Sequence, residues 1–166
     1  MSNTDWEQRV ADAWASIDQY SETEFLTLIE RLAAELPPDR GIAAFERAAS
    51  LDSTGHSDLA VPLYRQALDR GLTDERRRRA VIQLASSLRN LGRPQESVTL
   101  LTAELEREPD HLDDAVRAFL ALALVDVGRE REAVSLALTA LAPHPPRYQR
   151  SLANYARLLV EEEPAP

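Results

Sequence analysis

The feature that most limits how this chain can fold is a glycine that recurs with a period of about 36 residues. Gly55, Gly92 and Gly128 are 37 and 36 residues apart, and each separates two stretches whose apolar residues have helical spacing. The same register holds for a leucine four residues before each glycine, at Leu51, Leu88 and Leu124. Self-similarity at this period is typical of stacked pairs of helices. The sequence therefore predicts an α-helical solenoid.

Three segments carry the repeat: AASLDSTGHSDLAVPLYRQAL at 48–68, ASSLRNLGRPQESVTLLTAEL at 85–105 and ALALVDVGREREAVSLALTAL at 121–141. Through these segments the chain resembles the tetratricopeptide repeat (TPR) family, whose unit is a helix-turn-helix of about 34 residues. The run RRRRAVIQLASSLRNLG at 76–92 is also similar to a narrower group of short bacterial TPR proteins. The resemblance implies an all-α, TPR-like solenoid in which the first helices of the pairs line a concave groove.

A chain of 166 residues fits a single domain, and we predict about nine helices in it. The predicted segments are an N-terminal helical hairpin (3–38), three repeats (40–72, 73–109 and 110–145) and a C-terminal capping helix (146–161). A solenoid leaves an apolar face at each end. We expect Trp6 and Trp14 to cover much of this face at the N-terminal end.

Two pairs of residues in the hairpin have the spacing of a capping box, in which a Ser or Thr and a Glu three residues later bond each other's backbone N–H. These pairs are Thr4 with Glu7 and Ser21 with Glu24. They predict where the first two helices begin.

Composition excludes several classes of protein. The net charge of −9 argues against general nucleic-acid binding, which depends on basic side chains that neutralise phosphates. The longest apolar run, 118–125, is far shorter than the roughly 20 residues that span a bilayer. The sequence has no cysteine, and its N-terminus lacks the pattern of a signal peptide. We expect a cytoplasmic protein that binds neither nucleic acid nor membrane.

The sequence has no motif that indicates catalysis. It contains no cysteine nucleophile, no Gly-rich phosphate loop and no serine elbow. The three histidines, His56, His111 and His144, stand in predicted turns without the close helical spacing of a zinc site. We therefore predict no enzymatic activity, no catalytic residue, no metal site and no cofactor.

The basic run 76–79 opens the first helix of the second repeat, where positive charge opposes the helix dipole. Two interpretations are open. Either the run is a solvated face that Asp74 and Glu75 partly neutralise, or it holds an anion.

The helix predicted at 74–91 has a polar face away from its packing residues. A solvated face usually carries Glu and Lys, whereas this one carries small neutral hydrogen-bonding groups and two arginines. Its residues are Arg79, Ile82, Gln83, Ser86, Arg89 and Asn90. By the resemblance to the TPR family this face lines the groove, together with positions on other helices that include Phe45, Ala49, Asp52, Ala118, Leu122, Asp126, Arg150, Ser151 and Asn154.

We expect a peptide or protein segment to bind along this face. The two arginines would hold acidic groups, the neutral polar residues would bond the peptide backbone, and Ile82 would supply an apolar contact. The alternative for Ser86 and Asn90 is that they form bonds within the protein that fix the superhelix. TPR proteins that bind chaperones hold a terminal carboxylate with Lys and Asn, but Phe45 and Ala49 stand at those positions here.

The function predicted from the sequence is therefore non-catalytic protein binding in the groove. Two alternatives stay open. One is a self-associating structural scaffold, with Trp6 and Trp14 at the interface between copies. The other is a regulatory protein that binds a small ligand.

Overall fold

The computed structural model describes residues 3–37 and 39–161, and all regular structure within these ranges is helical. Among the described residues, a short 3-10 helix, Ile17–Gln19, follows the first of nine α-helices. These are α1 Asn3–Ala15, α2 Glu22–Ala34, α3 Gly41–Ser53, α4 Ser57–Asp69, α5 Asp74–Asn90, α6 Pro94–Leu105, α7 Asp113–Asp126, α8 Glu130–Leu141 and α9 Gln149–Leu158. The all-α prediction is confirmed, and each predicted helix is present.

Only one of the two predicted capping boxes forms. Ser21 is the N-cap of α2, where its side chain accepts from the Glu24 N–H while Glu24 accepts from the Ser21 N–H. The prediction for Thr4 is wrong, because α1 already includes Asn3 and Thr4 therefore lies inside the helix. The Glu7 carboxylate pairs with Arg76 instead.

The recurring glycine ends the first helix of each repeat. Gly55, Gly92 and Gly128 have φ of 90°, 73° and 76°, a left-handed conformation that glycine adopts at little cost. The N–H of the following residue then bonds the carbonyl of the recurring leucine, with a distance of 2.9 Å in all three turns. This is the Schellman arrangement of a helix C-terminus. It explains why glycine and leucine repeat together in the sequence.

The chain divides into two compact units, Met1–Ser87 and Leu88–Pro166. Unit 1 contains α1 to α4 and most of α5, and unit 2 contains the end of α5 and α6 to α9. The predicted single domain and its segment boundaries stay a prediction.

The core of unit 1 begins with the aromatic residues of the N-terminal hairpin. Trp6 is 3% exposed and donates its indole N–H to the Leu32 carbonyl at 2.8 Å. The rings of Trp14 and Phe25 meet edge to face with centroids 5.1 Å apart. Full burial of an apolar side chain such as that of Phe25, which is 1% exposed, stabilises the fold by about 1.5–3 kcal/mol. Both tryptophans therefore belong to the packing between helices of this unit.

Small residues bring α3 and α4 close together. Gly41 begins α3, and a Cβ built there would lie 2.5 Å from the Ala67 carbonyl oxygen of α4. Both helices also carry buried alanines, at Ala43, Ala44, Ala48, Ala49, Ala60 and Ala67.

The core of unit 2 forms among α6, α7 and α8, and α9 packs against α8. Its buried residues include Leu101, Val116, Leu120, Leu124 and Ala133. Ser135 of α8 donates to the Ala156 carbonyl of α9 at 2.6 Å. Thus α9 is held by polar as well as apolar contacts.

Candidate functional site

The first arginine of the basic run, Arg76, is neutralised within unit 1. Its guanidinium donates to Glu7 of α1 at 3.0 Å and to Glu46 of α3 at 3.3 Å. It also lies over the Trp6 ring, with its Cζ 5.9 Å from the ring centroid. Burial lowers the pKa of Arg76, but the hydrogen bonds and charges of the two glutamates outweigh this effect and raise it. Arg76 is therefore a structural residue that ties α5 to α1 and α3.

Arg79 occupies a different environment one turn along α5. Its Cζ lies 5.3 Å from the centroid of the Phe45 ring, which is 0% exposed. Arg79 itself is half-buried, and it makes no ion pair with another described residue. It is thus a cation that rests on an aromatic ring at the surface of unit 1.

Three residues predicted to line the groove lie in the core instead, and the first of them is Ala49, which is 1% exposed. Phe45 is fully buried beneath Arg79, and Ile82 is only 6% exposed. The expectation that Ile82 is exposed is wrong, because the buried side of α5 is wider than the sequence pattern suggests. A helix packed against neighbours on two sides buries such flanking positions.

Asp52, also predicted for the groove, accepts three hydrogen bonds from within unit 1. The donors are the hydroxyls of Ser57 at 3.1 Å, Ser87 at 2.8 Å and Tyr64 at 3.4 Å. Burial, followed by the charge of Asp52, raises the pKa of Tyr64 well above its usual value. The hydroxyl therefore stays protonated and can donate. Asp52 connects α3 to α4 and α5.

Gln83 and Ser86 keep unused hydrogen-bonding groups on α5. Both are half-buried. The Gln83 Oε1 atom is shielded from solvent and has no hydrogen-bond partner among the described residues. Within the same part of the chain the Ser86 hydroxyl has none either, whereas the adjacent Ser87 bonds Asp52. The alternative role expected for Ser86 is a hydrogen bond within the protein. The adjacent Ser87 forms such a bond instead.

In unit 2 the structure pairs two of the predicted site residues with each other. The Arg89 Nε lies 2.5 Å from the Asp126 Oδ2, which joins the end of α5 to α7. Asn154 accepts from Arg157 at 3.0 Å. Five further predicted residues are exposed, namely Asn90, Ala118, Leu122, Arg150 and Ser151. Arg89 and Asp126 therefore already have partners within the protein.

A cleft of about 650 Å³ in unit 1 was not predicted from the sequence. It lies where the α2–α3 and α4–α5 connections meet the beginning of α5. Its lining includes Glu7, Asp39, Arg40, Arg70, Asp74, Glu75, Arg76 and Arg79. Apolar and polar patterns along helices do not indicate a cleft between connections, although the Arg-Gly pair at 40–41 recurs at 70–71 as a signal in the sequence.

Two of the three histidines lie near a carboxylate. The His56 Nε2 is 2.6 Å from Glu22, and the His144 Nε2 is 3.4 Å from Asp114. The described residues include no group of three or more His, Asp or Glu side chains that could hold a metal ion. None of the described helices is both long enough and apolar enough to cross a membrane.

Comparisons with known proteins agree with this architecture. The model of the tetratricopeptide repeat family matches residues 41–159. Among solved structures, "MamA MSR-1 C2" has a TM-score of 0.60 and 20% identity, over 88% of this chain and 73% of that one. A kinesin light chain-like protein of Podosopora anserina with nearly identical TPR-like repeats has a TM-score of 0.67 and 19% identity, over 96% of both chains.

At these identities the structural likeness shows the fold alone. A search among curated proteins gives no match. The family model, however, covers well over half of the chain and includes all of the helices from α3 to α9. The chain therefore belongs to the tetratricopeptide repeat family.

Proposed function

We propose that this protein is a non-catalytic, cytoplasmic module that binds a segment of another protein through α5 of unit 1. The TPR fold is in general that of a protein–protein interaction module, and members of the family are generally non-catalytic scaffolds. The contact residues in this proposal are Arg79, Gln83 and Ser86. The groove predicted from the family resemblance stays a prediction.

The observation that carries the proposal is the unused hydrogen-bonding capacity of α5. A shielded polar atom without a partner costs about 1–3 kcal/mol. The Gln83 Oε1 atom is in this position, and the Ser86 hydroxyl one turn away has no partner among the described residues. Backbone groups of a bound segment would satisfy the Ser86 hydroxyl directly, and they would satisfy the Gln83 amide once its side chain turns toward the segment. Arg79 beside them would hold an acidic side chain of the same segment.

Several residues that the sequence predicted to contact a partner are not part of this proposal, because the structure places them elsewhere. Ile82 and Phe45 are buried, so neither supplies an apolar contact to a partner. Arg89 is paired with Asp126. In unit 2 we propose only that Asn90, Leu122 and Arg150 are available for contact, since each is exposed there.

A photo-crosslinking amino acid at position 86 tests the proposal in the source cell. The matched control places it at position 66, where Gln66 is exposed on α4 of the same unit. We expect a partner that crosslinks from position 86 and not from 66. Equal capture from both positions would count against the α5 surface.

The purified partner then allows a quantitative test. We expect Ser86→Arg to weaken binding about tenfold or more, which corresponds to roughly 1.4 kcal/mol. The control Ser53→Arg adds the same side chain at an exposed position of α3 and leaves the affinity unchanged. An unchanged Kd for Ser86→Arg, measured by calorimetry, contradicts the proposal.

Exposed apolar residues in unit 2 favour self-association as a second candidate function. Tyr148 is 79% exposed, Tyr155 is 64% and Leu158 is 46%. Trp6 and Trp14 do not fit the interface expected for this candidate, because both indole N–H groups bond within unit 1. If self-association occurs, Tyr155→Ser with Leu158→Ser converts a dimer into a monomer in sedimentation equilibrium. A monomeric wild-type protein contradicts this candidate.

A further inference from the structure

We propose that the cleft of unit 1 is a binding site for an acidic segment of a protein, with Arg40 and Arg79 as its carboxylate-binding residues. This site differs from the α5 surface of the proposed function and shares only Arg79 with it. It includes a second cation, Arg40, that the sequence pattern did not indicate.

The size and position of the cleft suit a short peptide segment. Its volume of about 650 Å³ lies within the 300–1,000 Å³ that is usual for ligand sites. The walls come from α1, from both connections and from the first turns of α3 and α5. Because Gly41 has no side chain, the start of α3 lies close to the Ala67 carbonyl and to the Leu72 N–H, which brings the α2–α3 and α4–α5 connections near each other.

Most of the charges in the cleft already have partners. Arg76 is bonded to Glu7 and also to the buried Glu46 behind the cleft. Arg70 and Glu75 each interact with other residues. Arg40 and Arg79 make no ion pair with any described residue. This is unexpected in a chain with 28 acidic and 19 basic residues, where most arginines could find a carboxylate.

The Phe45 ring positions Arg79 for a ligand. A guanidinium that lies over an aromatic face is held there by electrostatic attraction, while the N–H donors in its own plane stay unused. The donors of Arg79 therefore need little ordering when a carboxylate binds. Arg40, at the exposed end of the α2–α3 connection, provides a second fork for the same or an adjacent acidic group.

The carboxylates in the cleft favour a peptide over a simple anion. Asp39 and Asp74 also line the cleft, and Asp74 accepts a bond from Thr73 at 2.9 Å. Negative groups repel a compact polyanion such as phosphate. A peptide, however, offers backbone N–H donors to these aspartates beside its own acidic side chains. The arginines of the cleft can therefore bind the acidic side chains of an extended segment, while the aspartates accept from its backbone N–H groups.

The test uses the full chain and two synthetic peptides, acetyl-(Ser-Glu)₃-amide and its neutral counterpart acetyl-(Ser-Gln)₃-amide. All 19 basic residues are arginine, so ¹⁵N labelling of arginine reports every cationic side chain through its Nε–H signal. We expect the acidic peptide to shift the signals of Arg40 and Arg79 and the neutral peptide to shift neither. Glutarate and inorganic phosphate serve as small-anion probes.

Single substitutions of arginine measure the contribution of Arg40 and Arg79, and the charge change in Arg40→Ala is matched by a control outside the cleft. Arg40→Ala should weaken the acidic peptide about tenfold or more, because hydrogen bonds to charged groups are among the strong ones. The control Arg31→Ala removes an exposed guanidinium of unit 1 outside the cleft and should leave the affinity unchanged. Arg79→Lys keeps the charge near Phe45, so that a loss of binding can be separated from a loss of folding.

Each result of these binding measurements supports or overturns the proposal that the cleft binds an acidic segment. Loss of binding in Arg40→Ala but not in Arg31→Ala or Ser86→Arg supports it independently of the α5 surface. The absence of binding, or equal shifts across many arginines, overturns it. Binding of glutarate or phosphate at Arg40 and Arg79 without binding of the peptide shows a small-anion site and also overturns it. Failure of the α5 proposal would appear separately, in the response of the crosslinked partner to Ser86→Arg.

Discussion

Glu46 is a charged residue that would be expected at the surface, but it lies in the interior and holds helices together. It is 3% exposed, and its carboxylate accepts from the Trp14 indole at 2.9 Å and from Arg76 at 3.3 Å. A buried charge is tolerated only where hydrogen bonds and an opposite charge compensate for lost hydration. Glu46 therefore connects α1, α3 and α5 at one point.

Removal of this carboxylate should destabilise the protein strongly. We expect Glu46→Ala to lower the free energy of unfolding by about 3–5 kcal/mol, because it leaves Arg76 and the Trp14 N–H with fewer partners in a buried place. The matched control is Glu30→Ala, which breaks an exposed pair with Arg47 and should cost less than about 1 kcal/mol. Urea unfolding measures both variants. Similar losses would show that Glu46 has no special role.

At the scale of the helix, the repeat is defined by how each first helix ends. The recurring glycine has a left-handed conformation, and the N–H after it bonds the recurring leucine carbonyl. The same chemistry in three places gives three similar turns, which is why the period could be read from the sequence.

Replacement of a turn glycine should therefore cost backbone energy alone. A Cβ at Gly55 would meet no atom within 4 Å, so Gly55→Ala introduces no clash. We expect a loss of about 1–2 kcal/mol from the left-handed conformation. Gly55→Asn should lose less, because Asn tolerates this conformation better. The check is thermal unfolding of both variants, and an Ala variant as stable as wild type would exclude this explanation.

At the scale of the whole molecule, both units carry arginine–glutamate ion pairs on their surfaces. Arg9 with Glu35 and Arg47 with Glu30 lie in unit 1, and Arg129 with Glu132 lies in unit 2. In each pair the arginine hydrogen bond lowers the pKa of the glutamate below its ordinary value of 4.5. The pairs therefore link stability to pH.

The sign of this dependence follows from the lowered pKa values. A carboxyl whose pKa is lower in the folded state adds stability that is fully present above its ordinary pKa of 4.5 and is lost as pH falls through the folded value. We expect the urea midpoint to decrease as pH falls below about 4.5. Arg129→Gln should bring the pKa of Glu132 back toward its ordinary value in an NMR titration. An unchanged Glu132 titration would contradict this assignment.

The amino-acid sequence by itself determined the helices, their approximate ends and the repeat. These depend on local chemistry, since glycine at a C-terminus, Ser21 at an N-cap and apolar spacing act within a few residues. Tertiary structure alone decided which side chains remain for a partner. Adjacent residues on a helix point about 100° apart. The orientation of α5 in unit 1 therefore decides the environment of each side chain. Ile82 is buried and Ser87 bonds Asp52, whereas Ser86 has no partner among the described residues. The cleft with Arg40 and Arg79 forms only when connections distant in sequence meet in the folded unit.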